Sequence, residues 1–409
     1  MPRFLLAACA VALLLLPARS SERTASAPAR RPTEVRALWV TRTTLTSPDS
    51  IAGMVKWARD ARFNTLLVQV RGRGDAYYRS DLEPRAQALA RQPSTFDPLA
   101  VVLAEARRAG LRVHAWLSVG LVSSAVELPA APAHIVHRHP EWLMVPREAA
   151  TELGSVDPRS PNYLDMLARA VRQSSDAEGL YLSPVDPGAS AYVGAVVKEL
   201  LTRYPVDGVH LDYARYPSDQ FDYGAHSLEL FADDAGDGEA SSTTQKATPE
   251  RGDLVAWAQT VPDRYREFRR ARLTALVQRI RVTARATRPQ ALVTAAVLPD
   301  ANDASTRRLQ DWRGWVKADL LDAVCPMAYA TDLPTLNSEL SSARQAAGSL
   351  PFWAGIGAYR LSAAQTIDAV TLARRLGSSG VVLFSYDSLV GTPPSGRALS
   401  KIGRAVFKD

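Results

Sequence analysis

Cysteine is nearly missing from this chain: only Cys9 and Cys325, among 409 residues, carry a thiol. Cys9 falls in a segment that reads as a removable leader. The remaining chain then has no internal disulfide, and its core must carry stability alone. Cys325 sits in an apolar run and reads as a small buried hydrophobe rather than a nucleophile. No apolar run beyond the leader is long enough to cross a bilayer, which excludes a polytopic membrane protein. A Gly-x-Ser-x-Gly elbow and a Ser–His–Asp set are both missing, so acyl-transfer hydrolysis finds no support. Dense basic runs are missing too, despite a net charge of +7, and no nucleic-acid partner is expected. His134, His137 and His139 form the nearest approach to a metal cluster. They lack zincin spacing and an acidic companion, so neither a metal nor another cofactor is expected.

What is present starts with an export signal. Arg3 supplies the positive end, residues 4–16 are apolar, and Pro17-Ala18-Arg19-Ser20 breaks the run. Residues 1–20 therefore read as a cleaved signal peptide, and the protein as periplasmic or extracellular. Leu6-Ala7-Ala8-Cys9 imitates a lipoprotein box, which keeps lipid anchoring open as the lesser option. Residues 21–33 are Ser, Ala, Pro and Arg without periodicity, the composition of a disordered tether. Losing Arg3 and Arg19 with the signal leaves a charge of about +5, compatible with peripheral association with an anionic cell envelope.

From residue 34 onward, short β-branched runs alternate with amphipathic helical stretches. The strand candidates are 35–41, 65–71, 112–118, 208–212, 292–298, 323–327, 352–357 and 380–385. Eight strands separated by helices predict an α/β fold, a (β/α)8 TIM barrel spanning 34–409. Apolar stripes place helices at 50–62, 190–203 and 263–287. Insertions follow strand three (120–189) and strand four (217–262). The second contains an acidic, apolar-poor run from Phe231 and reads as a mobile loop or lid, or as disorder.

Chemistry concentrates where strands end, because barrels build their sites at that rim. The densest segment is Val206-Asp-Gly-Val-His-Leu-Asp-Tyr-Ala-Arg-Tyr-Pro217. It delivers Asp212 at the tip of strand four, followed by Tyr213, Arg215 and Tyr216. A carboxylate there can accept a proton, attack an anomeric carbon or stabilise an oxocarbenium-like transition state. The plainer reading is an Asp–Arg pair bracing the rim. Strand two runs into Gln69-Val-Arg-Gly-Arg-Gly-Asp-Ala-Tyr-Tyr-Arg-Ser80, where Arg71, Asp75 and Tyr77 are either substrate contacts or the ends of an Arg71–Asp75 bridge. His114, Trp116 and Ser118 share one face of strand three. His210, Arg215, Tyr216, Tyr329, Tyr386 and Asp387 complete the substrate-binding candidates. The general-acid candidates are Asp300 first, Asp332 second and Asp387 third. Carboxyl groups about 5 Å apart imply retention of configuration, and about 6.5–9.5 Å implies inversion.

Several of these landmarks together resemble the glycosyl hydrolase-like 10 family. They are Glu34-Val-Arg-Ala-Leu-Trp-Val, the strand-two segment, His114-Ala-Trp, His139-Pro-Glu-Trp-Leu, Asp186-Pro-Gly, the strand-four segment, Asp311-Trp-x-x-Trp315 and Pro326-Met-Ala-Tyr. The resemblance implies a TIM-type barrel that hydrolyses glycosidic bonds, with Asp212 in the family's catalytic strand-four position. For a characterised family member it also implies action on peptidoglycan strands stripped of stem peptides. Ser118 and Ala328 depart from the family pattern, each standing where asparagine is common. The expected function is hydrolysis of a cell-envelope or extracellular glycan. A non-peptidoglycan polysaccharide and a non-catalytic glycan-binding barrel are the alternatives.

Overall fold

The computed structural model describes residues 34–238, 254–391 and 396–407. The expected signal peptide and tether lie outside the described residues. Eight parallel strands close into a barrel: Val35–Val40, Thr65–Arg71, Arg112–Ser118, Gly208–Asp212, Leu292–Val297, Ala323–Ala328, Trp353–Ile356 and Gly380–Phe384. Each pairs with its neighbours in sequence, and the first closes on the eighth through Leu38 opposite Leu383. The expected (β/α)8 fold is the observed one.

Local chemistry explains where the helices begin. Ser47, Asp97 and Asp186 each accept a backbone N–H three residues on, and each is followed by proline in the first helical position. These caps start Pro48–Asp60, Pro98–Ala109 and Pro187–Arg203, whose apolar faces lie against the outside of the barrel. Pro262–Thr287 packs beside Pro187–Arg203 in the same layer.

Inside the barrel a separate apolar cluster joins Val35, Ala37, Trp39, Trp116, Cys325 and Trp353. The Trp39 indole is seated only because position 355 is glycine, where a Cβ would stand 2.7 Å from the ring. Burial pushes the Cys325 thiol far above its usual range, in keeping with a packing role.

The insertion after strand three carries a small antiparallel pair, Leu121–Ser123 with Leu180–Tyr181. The insertion after strand four differs from the expected mobile loop: Ala225–Gly238 and Leu254–Thr260 are helices. The sequence signal was a stripe of Leu228, Phe231 and Ala235 at helical spacing, masked by the acidic residues around it. Phe231 is buried, with ring centroids 4.8 Å from Trp257, 4.7 Å from Tyr265 and 5.3 Å from Phe268. Only residues 239–253 of that insertion fall outside the described residues.

The Phe231 cluster should behave as core. Phe231→Ala is expected to lower the unfolding free energy by about 3–5 kcal/mol. Urea denaturation checks this, and a change within error would show that the insertion is not packed onto the barrel.

Candidate active site

Asp212 ends strand four, and its side chain reaches the floor of an open mouth of about 480 Å³ at the C-terminal rim. Trp39, Trp116, Tyr213, Tyr329, Met327 and Phe384 wall that mouth. Tyr329 and Phe384 lie nearly parallel with centroids 5.7 Å apart, and Trp39 meets Phe384 edge-on at 6.0 Å. The half-exposed Tyr359 extends this aromatic surface outward from Tyr329. Flat apolar faces beside a few polar groups suit the faces and hydroxyls of a sugar ring.

Donors surround the carboxylate. The Trp116 indole N–H donates to Asp212 Oδ2 at 3.1 Å, and the Tyr213 backbone N–H donates to Oδ1 at 2.7 Å. Arg215 Nη1 stands 3.6 Å from Oδ1, and the guanidinium stacks over the Tyr213 ring at 4.3 Å. Burial raises the Asp212 pKa above the ordinary carboxylate value, while Arg215, the Tyr213 N–H and Trp116 pull the other way. Burial, with the nearby Asp212 charge, also pushes the Tyr213 phenol up to about 12.

A second carboxylate comes from Glu178, in the insertion after strand three. Its Oε1 lies 3.5 Å from Arg215 Nη2, and its Oε2 accepts the Tyr181 hydroxyl at 2.6 Å. One guanidinium thus lies between the two carboxyl groups. Sequence reasoning missed Glu178 because it precedes a two-residue strand outside the barrel.

Of the residues expected from sequence, the structure brings Asp212, Trp116, Arg215 and Tyr329 together in the mouth. The others are placed differently. Asp300 and Asp332 are exposed N-caps: Asp300 accepts from Asn302 N and Asp303 N, and Asp332 from Thr335 N. Neither lines the mouth. Asp387 takes the Thr41 backbone N–H at 2.9 Å and the Thr43 and Thr44 hydroxyls at 3.2 and 2.5 Å, so it holds the loop after strand one from behind. Arg71 is fully buried, and its partner is Glu83 rather than Asp75. Nε donates to Glu83 Oε1 at 2.8 Å and Oε2 at 3.0 Å, and Nη1 donates to the Ser118 carbonyl. Tyr216 is buried beside Arg269, its hydroxyl donating to the Arg269 carbonyl. Tyr386 packs in the core, and Tyr77 is buried beside Arg42 outside the mouth. Asp75 accepts the Arg73 backbone N–H in a neighbouring cavity.

His114 and His210 both point into the barrel but lie below the mouth. The His114 ring packs against Trp353, and His210 Nε2 accepts the Trp39 indole N–H at 3.0 Å. The three loop histidines each bond a different neighbour: His134 the Arg73 carbonyl, His137 the Pro129 carbonyl and His139 the Glu141 carboxylate. Trp39, Gln69, Tyr213, Met327 and Phe384 line the mouth without having been singled out from sequence as binding residues. Inward alternation along strands one, two, six and eight was the available signal. Ala328, which departs from the family pattern, packs in the layer between strands and helices and takes nothing from the mouth.

Comparisons with known proteins agree with this geometry. The family model described as Glycosyl hydrolase-like 10 matches residues 34–369. Glycosyl hydrolase DigH of Escherichia coli K12 is 26% identical over 162 residues, 36% of this chain and 30% of that protein. Glycosyl hydrolase YngK of Bacillus subtilis 168 is 22% identical over 183 residues, 41% of this chain and 30% of that protein. The matched segments thus span under a third of these relatives' length. Among solved structures, the PgaB (BpsB) glycoside hydrolase domain from Bordetella bronchiseptica superposes with a TM-score of 0.62 at 15% identity, covering 92% of this chain and all of that one. The catalytic domain of the Paenibacillus polymyxa β-amylase gives 0.59 at 11% identity, covering 92% and 98%. These two likenesses establish the barrel.

Burial lowers the pKa of both His114 and His210 from 6.5 to about 3. The unfolded chain takes up protons below pH 6.5 that the native chain refuses, so stability is lost as pH falls from 6.5 towards 3. At pH 4.5 each histidine should cost about 2–3 kcal/mol relative to neutral pH. Urea midpoints for the wild type and His114→Gln across that window check this; equal slopes for both would show that His114 is not held neutral.

Proposed function

Since this chain belongs to the glycosyl hydrolase-like 10 family, we propose that it cleaves glycosidic bonds of a cell-envelope or extracellular glycan, with Asp212 as the reacting carboxylate. The observation that carries this reading is a buried carboxylate facing an aromatic, sugar-sized mouth, with a donor on each oxygen and the Arg215 cation 3.6 Å away. Those donors favour the anion, the form that attacks an anomeric carbon or steadies positive charge developing there. In this reading Glu178, on the far side of Arg215, braces the guanidinium that stands beside Asp212. Trp116 orients Asp212, and Trp39, Tyr329 and Phe384 receive the sugar faces.

Denuded peptidoglycan is the favoured substrate, supported by the family resemblance and by a basic surplus that suits an anionic envelope. An exported location, with peripheral association at the envelope, goes with that choice. A non-peptidoglycan polysaccharide is the second reading, supported by the departure from the family pattern at Ser118, whose hydroxyl lies buried opposite Asp212 in the strand register.

The test is hydrolysis of denuded murein strands beside a polysaccharide panel, with products resolved by chromatography. Asp212→Asn should lower kcat by about 10³-fold or more, and undiminished turnover would refute the assignment. Because Asp212 acts ionised and its pKa is raised, kcat/KM should fall on acidification through a midpoint above about 3.9. Activity that instead grows as pH drops through that midpoint would make Asp212 the acid. Glu178→Gln, which loosens the brace on Arg215, should lower kcat/KM by a similar factor on natural glycans and on aryl glycosides, whose leaving groups need no proton. A loss on natural glycans that is recovered on aryl glycosides would make Glu178 the proton donor instead.

A further inference from the structure

The mouth does not end at Arg42. That residue also lines a second cavity of about 460 Å³, together with Arg73, Asp75, Arg85, Glu127 and His134. Each cavity is of a size to hold a sugar residue. The Arg-Gly-Arg-Gly-Asp segment after strand two, unused by the chemistry at Asp212, forms part of the second cavity.

Of the three arginines there, Arg85 is committed to its own loop, with Nη1 donating to the Phe96 carbonyl at 2.8 Å and Nη2 to the Pro93 carbonyl at 3.1 Å. Arg42 and Arg73 are different: among the described residues neither is paired with a carboxylate. Arg42 meets neutral partners, the Gln69 amide oxygen at 3.3 Å from both Nη1 and its backbone nitrogen and the hydroxyl of Tyr77. It lies flat over Gly72, where a Cβ would stand 2.7 Å from Arg42 Cδ. Arg73 projects from a fixed turn. Its backbone N–H donates to Asp75 Oδ1 at 3.0 Å, its carbonyl accepts from His134, and Gly74 adopts φ +69° where a Cβ would strike the His134 ring. Its charge reaches the phenol of Tyr213, a wall of the mouth, so Arg73 stands beside the boundary between the two cavities.

Asp75 and Glu127 line the same cavity, and among the described residues neither forms an ion pair with these arginines. Asp75 is turned into its own loop, and Glu127 is exposed at the rim. Burial keeps His134 neutral, its ring proton donated to the Arg73 carbonyl. Two cations without a carboxylate partner, set in one cavity, make a lining that suits a carboxylate.

We propose that Arg42 and Arg73 form an anion subsite beside the reacting carboxylate, which binds a carboxylate borne by the sugar next to the one in the mouth. The inference rests on the glycan reading above and narrows its substrate class to acidic glycans. A uronic acid and an ether-linked lactyl group offer the same chemistry, and the experiment separates them.

Binding is measured by calorimetry on the full protein in the Asp212→Asn background, so that turnover plays no part. One arm uses oligogalacturonates and their carboxyl-reduced counterparts. The other uses glycan strands of N-acetylglucosamine and N-acetylmuramic acid, with the lactyl carboxyl free or amidated. In one arm the free acid should bind about ten-fold or more tighter than its neutral counterpart, and that arm names the source. Arg73→Ala should abolish the preference and Arg73→Lys should keep part of it. Equal affinity for acid and neutral forms in both arms overturns the subsite, as does a preference that survives Arg73→Ala. If no glycan binds in any form, the glycan reading itself fails, and the subsite with it.

Discussion

The chain leaves strand four through Tyr213 at φ +50°, a left-handed conformation that costs a bulky residue about 1–2 kcal/mol. Bonds to the segment after strand three hold it there. Val119 N–H donates to the Asp212 carbonyl at 2.7 Å, and Gly120 N–H donates to the Tyr213 carbonyl at 3.1 Å. Position 120 admits no side chain, since a Cβ would lie 2.9 Å from that same carbonyl oxygen. Because the backbone turns left at Tyr213, no helix starts on Asp212, and its carboxyl is not used as a cap. It faces the mouth instead, and Arg215 returns over the Tyr213 ring to stand beside it.

The floor beneath the mouth is a directed chain of hydrogen bonds. An indole nitrogen only donates, so Trp39 obliges His210 Nε2 to accept. The proton of that neutral ring then sits on Nδ1 and is given to Thr294 Oγ1 at 2.9 Å, and the threonine hydroxyl points to the Val209 carbonyl at 3.4 Å. Burial keeps His210 neutral, so the chain keeps one polarity. Its effect is to fix the Trp39 indole against Phe384 and Tyr329. A histidine that looks like a ligand-binding group in the strand-four motif therefore works one layer lower, as a support for an aromatic wall.

The barrel was legible because each strand is a short β-branched run bounded by polar residues, and all eight expected strands form within a residue or two of their expected limits. The site was legible only in part, and the aspartates show why. Asp300 and Asp332 follow strands just as Asp212 does, yet each precedes a helix by one residue, where a carboxylate satisfies free backbone N–H groups. The Pro334 that follows Asp332 already marks such a start. Asp212 is followed by Tyr-Ala-Arg-Tyr-Pro, which starts no helix, and the next one begins only at Ala225. Arg71 misled for another reason. Asp75 lies close in sequence, but the carboxylate that reaches it is Glu83, brought back by a loop that composition does not reveal. Glu178 was invisible because its relation to Asp212 passes through Arg215, from the insertion after strand three to the strand-four segment.

Arg215 shows how such a site stores affinity. Its side chain is about nine-tenths buried, and Nη1 has no hydrogen-bond partner among the described residues, although Asp212 Oδ1 lies only 3.6 Å away. Coulomb attraction at that distance is retained, but the directional part of the bond is not. A buried guanidinium donor left in this condition costs more than 1 kcal/mol, since it has given up water without gaining an acceptor. A hydroxyl entering the mouth can supply that acceptor, and so can a small movement of Asp212 towards the guanidinium. The first offsets that cost, and the second draws negative charge towards Arg215 and away from the mouth. Glu178 on Nη2 opposes the second, because it already neutralises part of the same cation. The Asp212–Arg215–Glu178 arrangement therefore leaves Asp212 facing the mouth rather than locked in a close salt bridge, unlike Glu83, whose two oxygens are both taken by Arg71.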